Sequence, residues 1–452
     1  MHSGKTMFQK HPLLFGTFLL TLTGLMSRVI GFFYRIFLSK AIGEEGMGIY
    51  QLLAPVMVLS FSLCSAGIQT AISKYVAGEP TTRDYKASSR ILLTGFALSS
   101  GLSILCCLLI YQNAAFLAEK VLLEVRCEPL LRIFALSIPF ASVHSCINGY
   151  YYGIKNTVVP SASQLLEQLL RVGSVYLIHG FCIRKGLPVQ ISISVIGLII
   201  GEIASSLMSI AAVFLRFYHL GVPLSFYGSR QVCGCAHKIV TLAVPLSANR
   251  IVLNLLQSVE AVYIPNRLML YGMTKERVLS VYGVLTGMAL PLILFPNALT
   301  GSISVLLLPY VSESQESHND ERLRYAIRRS VTYSLLLGFA CTGFFFVSGR
   351  LLGKVLFDSA LAGTFIRSMS FICPFLYLST VLSSILHGLG KAGSSFVYNT
   401  TSLLIRLCFV FLAIPHFGIS GYLWGLLLSE IVLCALYLLS LSSYIKVSGS
   451  SS

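Results

Sequence analysis

The sequence predicts an all-α polytopic membrane protein, with about twelve transmembrane helices arranged as two six-helix bundles. Three features carry that reading. Of 452 residues, 55% are hydrophobic and only 11% charged, with a mean hydropathy of +0.79, far outside soluble composition. Apolar segments of spanning length recur from end to end, and the sparse polar residues within them recur in the same order in the two halves. The longest polar stretches, around 217–238 and 312–330, are too short to bury a core and read as connectors.

The apolar segments fall near 13–38, 47–77, 88–111, 129–152, 158–180, 190–216, 240–264, 279–311, 326–348, 366–388, 395–414 and 419–445. The first is the most informative. Arg28 stands within a turn of its midpoint, where an unpaired charge costs at least ~2.5 kcal/mol. On a helical wheel Thr17, Thr21, Gly24, Arg28, Gly31 and Arg35 share one stripe, which must face protein or water rather than lipid. Lys5 and Lys10 precede this segment as in a signal peptide, but its length, Arg28 and the lack of a small-x-small cleavage site make it a retained helix.

An even number of spans puts both ends on one side, and with the N-terminus inside the inner connectors carry a small excess of Lys and Arg. Inside five of the spans prolines mark expected kinks, at Pro55, Pro139, Pro245, Pro291, Pro296 and Pro374. The segments 116–132 and 351–367, each an amphipathic run ending in an arginine, are expected to lie flat at the outer interface.

Residues 1–217 laid on 238–452 reveal a parallel repeat. Ser27-Arg28 answers Asn249-Arg250; Tyr50 and Tyr75-Val76 answer Tyr282 and Tyr310-Val311; Pro139-Phe140 answers Pro374-Phe375. Lys155, Arg171 and Glu202 answer Lys391, Arg406 and Glu430. The expected domains are therefore an N-terminal six-helix bundle (1–217), a cytoplasmic connector (218–238) and a C-terminal six-helix bundle (239–452).

The ionisable residues inside the membrane are Arg28, Arg171, Arg250 and Arg406 against Glu167, Glu202, Glu260 and Glu430, with Arg35 and Arg267 at the rims. Arg250, Asn254 and Gln257 share one helical face, so the seventh segment presents a polar stripe like that of the first. Two such stripes make a cationic cavity lining. Glu167 precedes Arg171 by one helical turn and can neutralise it locally, whereas Ser402 holds that place before Arg406. Arg171–Glu202 and Arg406–Glu430 are expected as interhelical ion pairs, and Glu167, Glu202 and Glu260 as candidates for coupling to a proton or monovalent cation. Arg28, Arg35, Arg250, Asn254, Gln257 and Arg267 are the expected substrate-binding residues. Arginine favours bidentate phosphate contacts, so a phosphate- or carboxylate-bearing substrate fits.

The composition also excludes several classes. The 12 cysteines lie mostly in apolar spans, as small hydrophobes rather than a disulfide framework. Cys233, Cys235 and His237 lack a fourth ligand, so no metal site is expected, and no Walker or glycine-rich phosphate loop is present. The net charge of +16 points to topology and anionic lipid headgroups rather than nucleic acid.

SRVIGFFYRIFLSKAIGEEGMGIYQL at 27–52 and VYGVLTGMALPLILFPNALTGSISVLLLPYVSES at 281–314 resemble the stage V sporulation protein B branch of the polysaccharide and oligosaccharidyl-lipid flippases. That branch lies within the multidrug/oligosaccharidyl-lipid/polysaccharide (MOP) exporter superfamily. The resemblance implies a V-shaped pair of bundles of the multidrug-exporter kind, acting without cofactor or enzymatic chemistry. It implies alternating access that moves undecaprenyl-pyrophosphate-linked saccharide across a bacterial cytoplasmic membrane, for cell-wall, polysaccharide or spore synthesis, by a monomer among membrane lipids. Arg28 followed by Arg35 is similar to the first helix of lipid II flippases, whose arginines line the central cavity, with the second arginine one residue later here. Members commonly carry fourteen spans, the last two associated with a groove for the polyprenyl tail.

Two rivals stand beside this reading. A cation-coupled multidrug exporter would need uncompensated carboxylates, and the first span has none. A membrane glycosyltransferase or ligase would need outer loops large enough for an active site, and only Asp358 and His416 offer themselves on short ones.

Overall fold

The computed structural model describes residues 12–78, 85–221, 229–317 and 320–450, and every regular element among them is helical. The helices are α1 (Pro12–Leu52), α2 (Ala54–Phe61), α3 (Gly67–Gly78), α4 (Tyr85–Gln112), α5 (Cys127–Ala135), α6 (Ile138–Gly153), α7 (Val158–Arg184), α8 (Ser192–Leu220) and α9 (Ser229–Leu270). They continue as α10 (Lys275–Gly283), α11 (Leu290–Leu294), α12 (Asn297–Glu316), α13 (Asp320–Phe357), α14 (Ala360–Met369), α15 (Cys373–Gly388), α16 (Ala392–Leu412) and α17 (Ile419–Ser450).

Among the described residues nine helical runs are long and apolar enough to cross a membrane, or ten if the bent pair α5–α6 counts as one crossing. The twelve expected segments map onto these for a physical reason. The run Phe18–Gly78 holds two of them, parted at Gly43, whose φ of +73° ends the first helix within α1. Glycine adopts that left-handed conformation without a Cβ clash. Gly272, with φ +98°, parts α9 from α10 at the corresponding place in the second half. The fifth expected span, α7, is 27 residues long but too polar to stand out by apolarity, since it carries Glu167, Gln168 and Arg171.

Of the six prolines expected to mark kinks, five sit where helices break or begin. Pro55 follows the break at Leu53, Pro139 opens α6 after a 42° bend, and Pro374 opens α15. Pro291 follows a π-helical turn at Val284–Ala289, and Pro296 caps α12. Pro245 lies inside the continuous α9. The interfacial segments differ from expectation. Residues 116–132 form a π-helical turn at Leu117–Val121 and the start of α5, while 351–367 are the end of α13, a two-residue link and the start of α14. Ser359 in that link caps α14 by accepting from the Ala362 amide at 3.0 Å, so each amphipathic run is divided between successive helices rather than forming one helix of its own.

The chain forms two compact units that cross its linear halves. The first comprises residues 1–34 and 52–255, the second 35–51 and 256–452. Part of the expected connector, 222–228, lies outside the described residues, and 229–238 is the opening of α9. Glycine contacts explain why the two long helices divide. In the first unit Gly67 of α3 packs so closely on α9 that a Cβ there would lie 2.5 Å from the Ala243 carbonyl oxygen. In the second, a Cβ on Gly48 would lie 2.1 Å from the Leu279 carbonyl oxygen, and one on Gly283 would lie 2.3 Å from the Gly48 amide nitrogen. Small residues let backbones meet where lipid offers no hydrophobic drive to association. Each unit has its own core: Ile68, Ile72, Ile147, Tyr150, Phe217 and Ile239 in the first, and Val311, Val381, Leu382, Ile385 and Tyr437 in the second.

Candidate functional site

The intramembrane ionisable residues fall into two classes, compensated and exposed. In the first unit α7 and α8 pack along their length because Gly197 and Gly201 of α8 meet Val175, Arg171 and the Glu167 carbonyl of α7. This close approach brings charges together. Arg171 Nη2 donates to Glu167 Oε1 one turn away and lies 3.7 Å from Glu202 Oε1. His144 of α6 completes the group, its Nε2 standing 2.9 Å from Glu202 Oε2 without the alignment of a full hydrogen bond. Donor atoms of His144, Glu167 and Glu202 all lie within 4.8 Å of one another. Their side chains are 13–20% exposed, mostly withdrawn from solvent.

In the second unit Arg406 of α16 departs from its expected partner. Its Nη2 donates to Glu260 Oε2 of α9 at 2.6 Å, and the Tyr422 hydroxyl of α17 donates to Glu260 Oε1 at 2.8 Å. Glu430, expected opposite Arg406, instead accepts from the Ser379 hydroxyl of α15 at 3.1 Å. The reason is packing: Glu260 and Glu430 are both buried, but the contacts that bring α15 against α17 put Ser379 beside Glu430. A buried carboxylate left without such a donor would be costly.

The expected substrate residues are distributed over both units. Arg28 and Arg250 are exposed, and among the described residues neither makes an ion pair or hydrogen bond. Both belong to the first unit. The stripe around Arg28 is partly covered, since a Cβ on Gly31 would lie 3.3 Å from Gln168 Nε2 of α7, while Gly24 has open space before it. Asn254 donates to the Ser62 hydroxyl in the π-helical turn Ser62–Ala66 and so ties α9 to the second span of the same unit. Gln257 is exposed, and Arg35 is half-buried and engaged with neighbours. Arg267 lays its guanidinium over Phe411 at 4.8 Å and Tyr263 at 5.9 Å, a cation–π stack that anchors the end of α9 on α16.

Cys233, Cys235 and His237 lie on α9, where both cysteines are free. Sequence reasoning passed over His144 entirely. Its signal was present, an imidazole one turn before Asn148 inside an apolar span, but nothing in the chain's order says that α8 delivers Glu202 to it. Tyr282 is 2% exposed and packed inside the second unit.

Residues 13–315 match the family described as polysaccharide biosynthesis protein. Over 446 residues the chain is 27% identical to stage V sporulation protein B of Bacillus subtilis (strain 168), covering 97% of this chain and 85% of that protein. Among solved structures it is similar to an inward-facing multidrug resistance MATE family transporter of the MOP superfamily, with TM-score 0.74 at 15% identity over 96% of this chain and 99% of that one. It is also similar to the lipid II flippase MurJ in an inward closed conformation, with TM-score 0.72 at 14% identity over 94% of this chain and 87% of that one.

Proposed function

The chain belongs to the polysaccharide biosynthesis protein family, a multi-pass membrane transporter of the MOP superfamily, and from that premise we propose that it flips a polyprenyl-pyrophosphate-linked saccharide across the bacterial cytoplasmic membrane. One observation carries the reading. Arg171 and Arg406 are each held by a carboxylate, whereas Arg28 and Arg250, near the middle of α1's first stretch and of α9, have no acidic partner among the described residues. Two uncompensated guanidiniums at that depth are costly in the empty protein and favourable once an anion arrives. A pyrophosphate offers several acceptor oxygens to planar, bidentate donors. Arg28 and Arg250, both in the first unit, bind the pyrophosphate, and Asn254 and Arg267 hold α9 in place. The saccharide crosses with the pyrophosphate while the polyprenyl chain stays in lipid. The relative named a lipid II flippase supports this substrate class, while the drug-transporter structures share the fold.

Native mass spectrometry of the full chain in detergent, supplied with undecaprenyl pyrophosphate, tests the proposal. The wild type retains the lipid, and Arg28→Ala with Arg250→Ala weakens retention at least about tenfold, as for loss of charged hydrogen bonds worth about 1.5–3 kcal/mol each. Failure of the wild type to bind undecaprenyl pyrophosphate in excess overturns the flippase reading in favour of a multidrug exporter.

A further inference from the structure

We propose that the first unit contains a proton-binding site built from His144, Glu202, Glu167, Arg171 and Asn148, with His144 as the group that gains and loses the proton. The charge count comes first. With a neutral imidazole, the two carboxylates and one guanidinium leave the cluster one negative charge in excess; with an imidazolium the cluster is neutral. A net charge among side chains so far withdrawn from water is unfavourable, so the cluster has a standing demand for one positive charge. Imidazole is the side chain whose unperturbed titration lies closest to physiological pH.

The geometry favours a proton over a metal ion. His144 Nε2 already stands 2.9 Å from Glu202 Oε2, and the Glu167 side of the group is occupied by the Arg171 guanidinium. A cation there would meet another cation. A proton on the imidazole needs no added space.

Asn148 supplies an independent observation. Its Nδ2 lies 3.5 Å from His144 Nδ1 and 3.5 Å from Ser163 Oγ, the arrangement suited to a neutral imidazole that accepts at Nδ1 and points its Nε2 proton at Glu202. The other end of that amide, Oδ1, is buried with no hydrogen-bond partner, on a residue only 9% exposed. Half a turn of the amide places Oδ1 where Nδ2 was, so that it accepts from the Nδ1–H of an imidazolium. Both protonation states of His144 are thus served by one side chain.

Access follows from a cavity of about 250 Å³ in the same unit, lined by Ser60, Ser65, Ser137 and Glu202 among apolar side chains. It is large enough for several waters, which suits delivery of a proton to the carboxylate that faces the imidazole. Among the described residues, Glu202, Glu167 and Arg171 are the charged groups that act on His144. Gln69 of α3 accepts from Ser145, Ser99 of α4 meets Ser142, and Cys64 of the π-helical turn gives its thiol to the Leu102 carbonyl. Arg216 of α8 is engaged further along α6, where its Nε donates to Tyr150. The corresponding group of the second unit, Arg406 with Glu260, Glu430 and Tyr422, contains no imidazole. The proton site therefore belongs to one repeat only.

The test uses the full chain in lipid nanodiscs with ¹⁵N-labelled histidine, followed by NMR from pH 5 to 9. One imidazole resonance, absent from His144→Gln, titrates in this range; in Glu202→Gln its midpoint moves down by about one unit, as for loss of an adjacent carboxylate. Glu430→Gln, in the other unit, leaves the midpoint where it was. A His144 that does not titrate, or whose midpoint ignores Glu202→Gln, overturns the proposal. So does suppression of the titration by 100 mM sodium chloride but not by choline chloride, which would assign the positive charge to sodium. Binding of undecaprenyl pyrophosphate is not part of this measurement, so either proposal can fail without the other.

Discussion

Arg171 and Arg406 hold the same place in the two halves and are neutralised differently. Arg171 finds Glu167 on its own helix, one turn away; Arg406 has Ser402 there and reaches Glu260 on α9 instead. Ser402 in turn donates to the Ser429 carbonyl of α17, so the position is a helix contact rather than a counter-charge. The consequence is testable. Arg406→Ala strands Glu260, 4% exposed, and should destabilise the protein by about 3–5 kcal/mol. Adding Glu260→Gln to Arg406→Met should recover most of that loss, since the buried charge is gone. Arg171→Ala should cost less, because Glu167 and Glu202 keep partial contact with solvent and His144 can supply the missing charge. Thermal unfolding in detergent separates these outcomes; equal losses at both arginines would mean that neither environment is as described.

The elements show why glycine rather than hydrophobicity places the helices. In a lipid solvent every apolar side chain is equally content outside, and close packing decides which helices meet. The stretch of α1 after Gly43 packs on α10 through Gly48 and Gly283, with Glu44 accepting a hydrogen bond from the Ser359 hydroxyl before α14. Gly48→Val should therefore prevent stable folding of the second unit, because the new side chain would begin 2.1 Å from the Leu279 carbonyl oxygen. Gly24→Ala, in the same long helix but with nothing within 4 Å of its added Cβ, should be tolerated. Monodispersity on size-exclusion chromatography reads both variants, and a well-behaved Gly48→Val would remove this account of the crossing. The segments 116–132 and 351–367 carry the complementary lesson. Their amphipathic pattern is real, but breaks at Leu122–Arg126 and at Asp358–Ser359 divide each pattern between successive spans.

At the scale of the whole molecule, the charge distribution of the connectors predicts that both termini face the cytoplasm. With native cysteines replaced, a thiol at Arg324 should react with an impermeant reagent only after the membrane is opened, and one at Lys185 should react in intact cells; the reverse pattern would invert the topology. Polarity along one chain was sufficient to reveal the membrane class and to mark out its apolar segments, because an arginine or proline within twenty apolar residues is conspicuous wherever the helix packs. The same polarity picked out Arg28 and Arg250 but could not say that they stay unpaired. Partner choice depends on which helix faces pack, and those faces are selected by glycines and serines that look alike in sequence. So Glu260 rather than Glu430 meets Arg406, His144 joins Glu202, and the two long helices divide between units at Tyr34–Arg35 and Leu255–Leu256. These outcomes are long-range contacts in space, fixed by backbone approach and buried charge balance, and local sequence pattern carries no record of them.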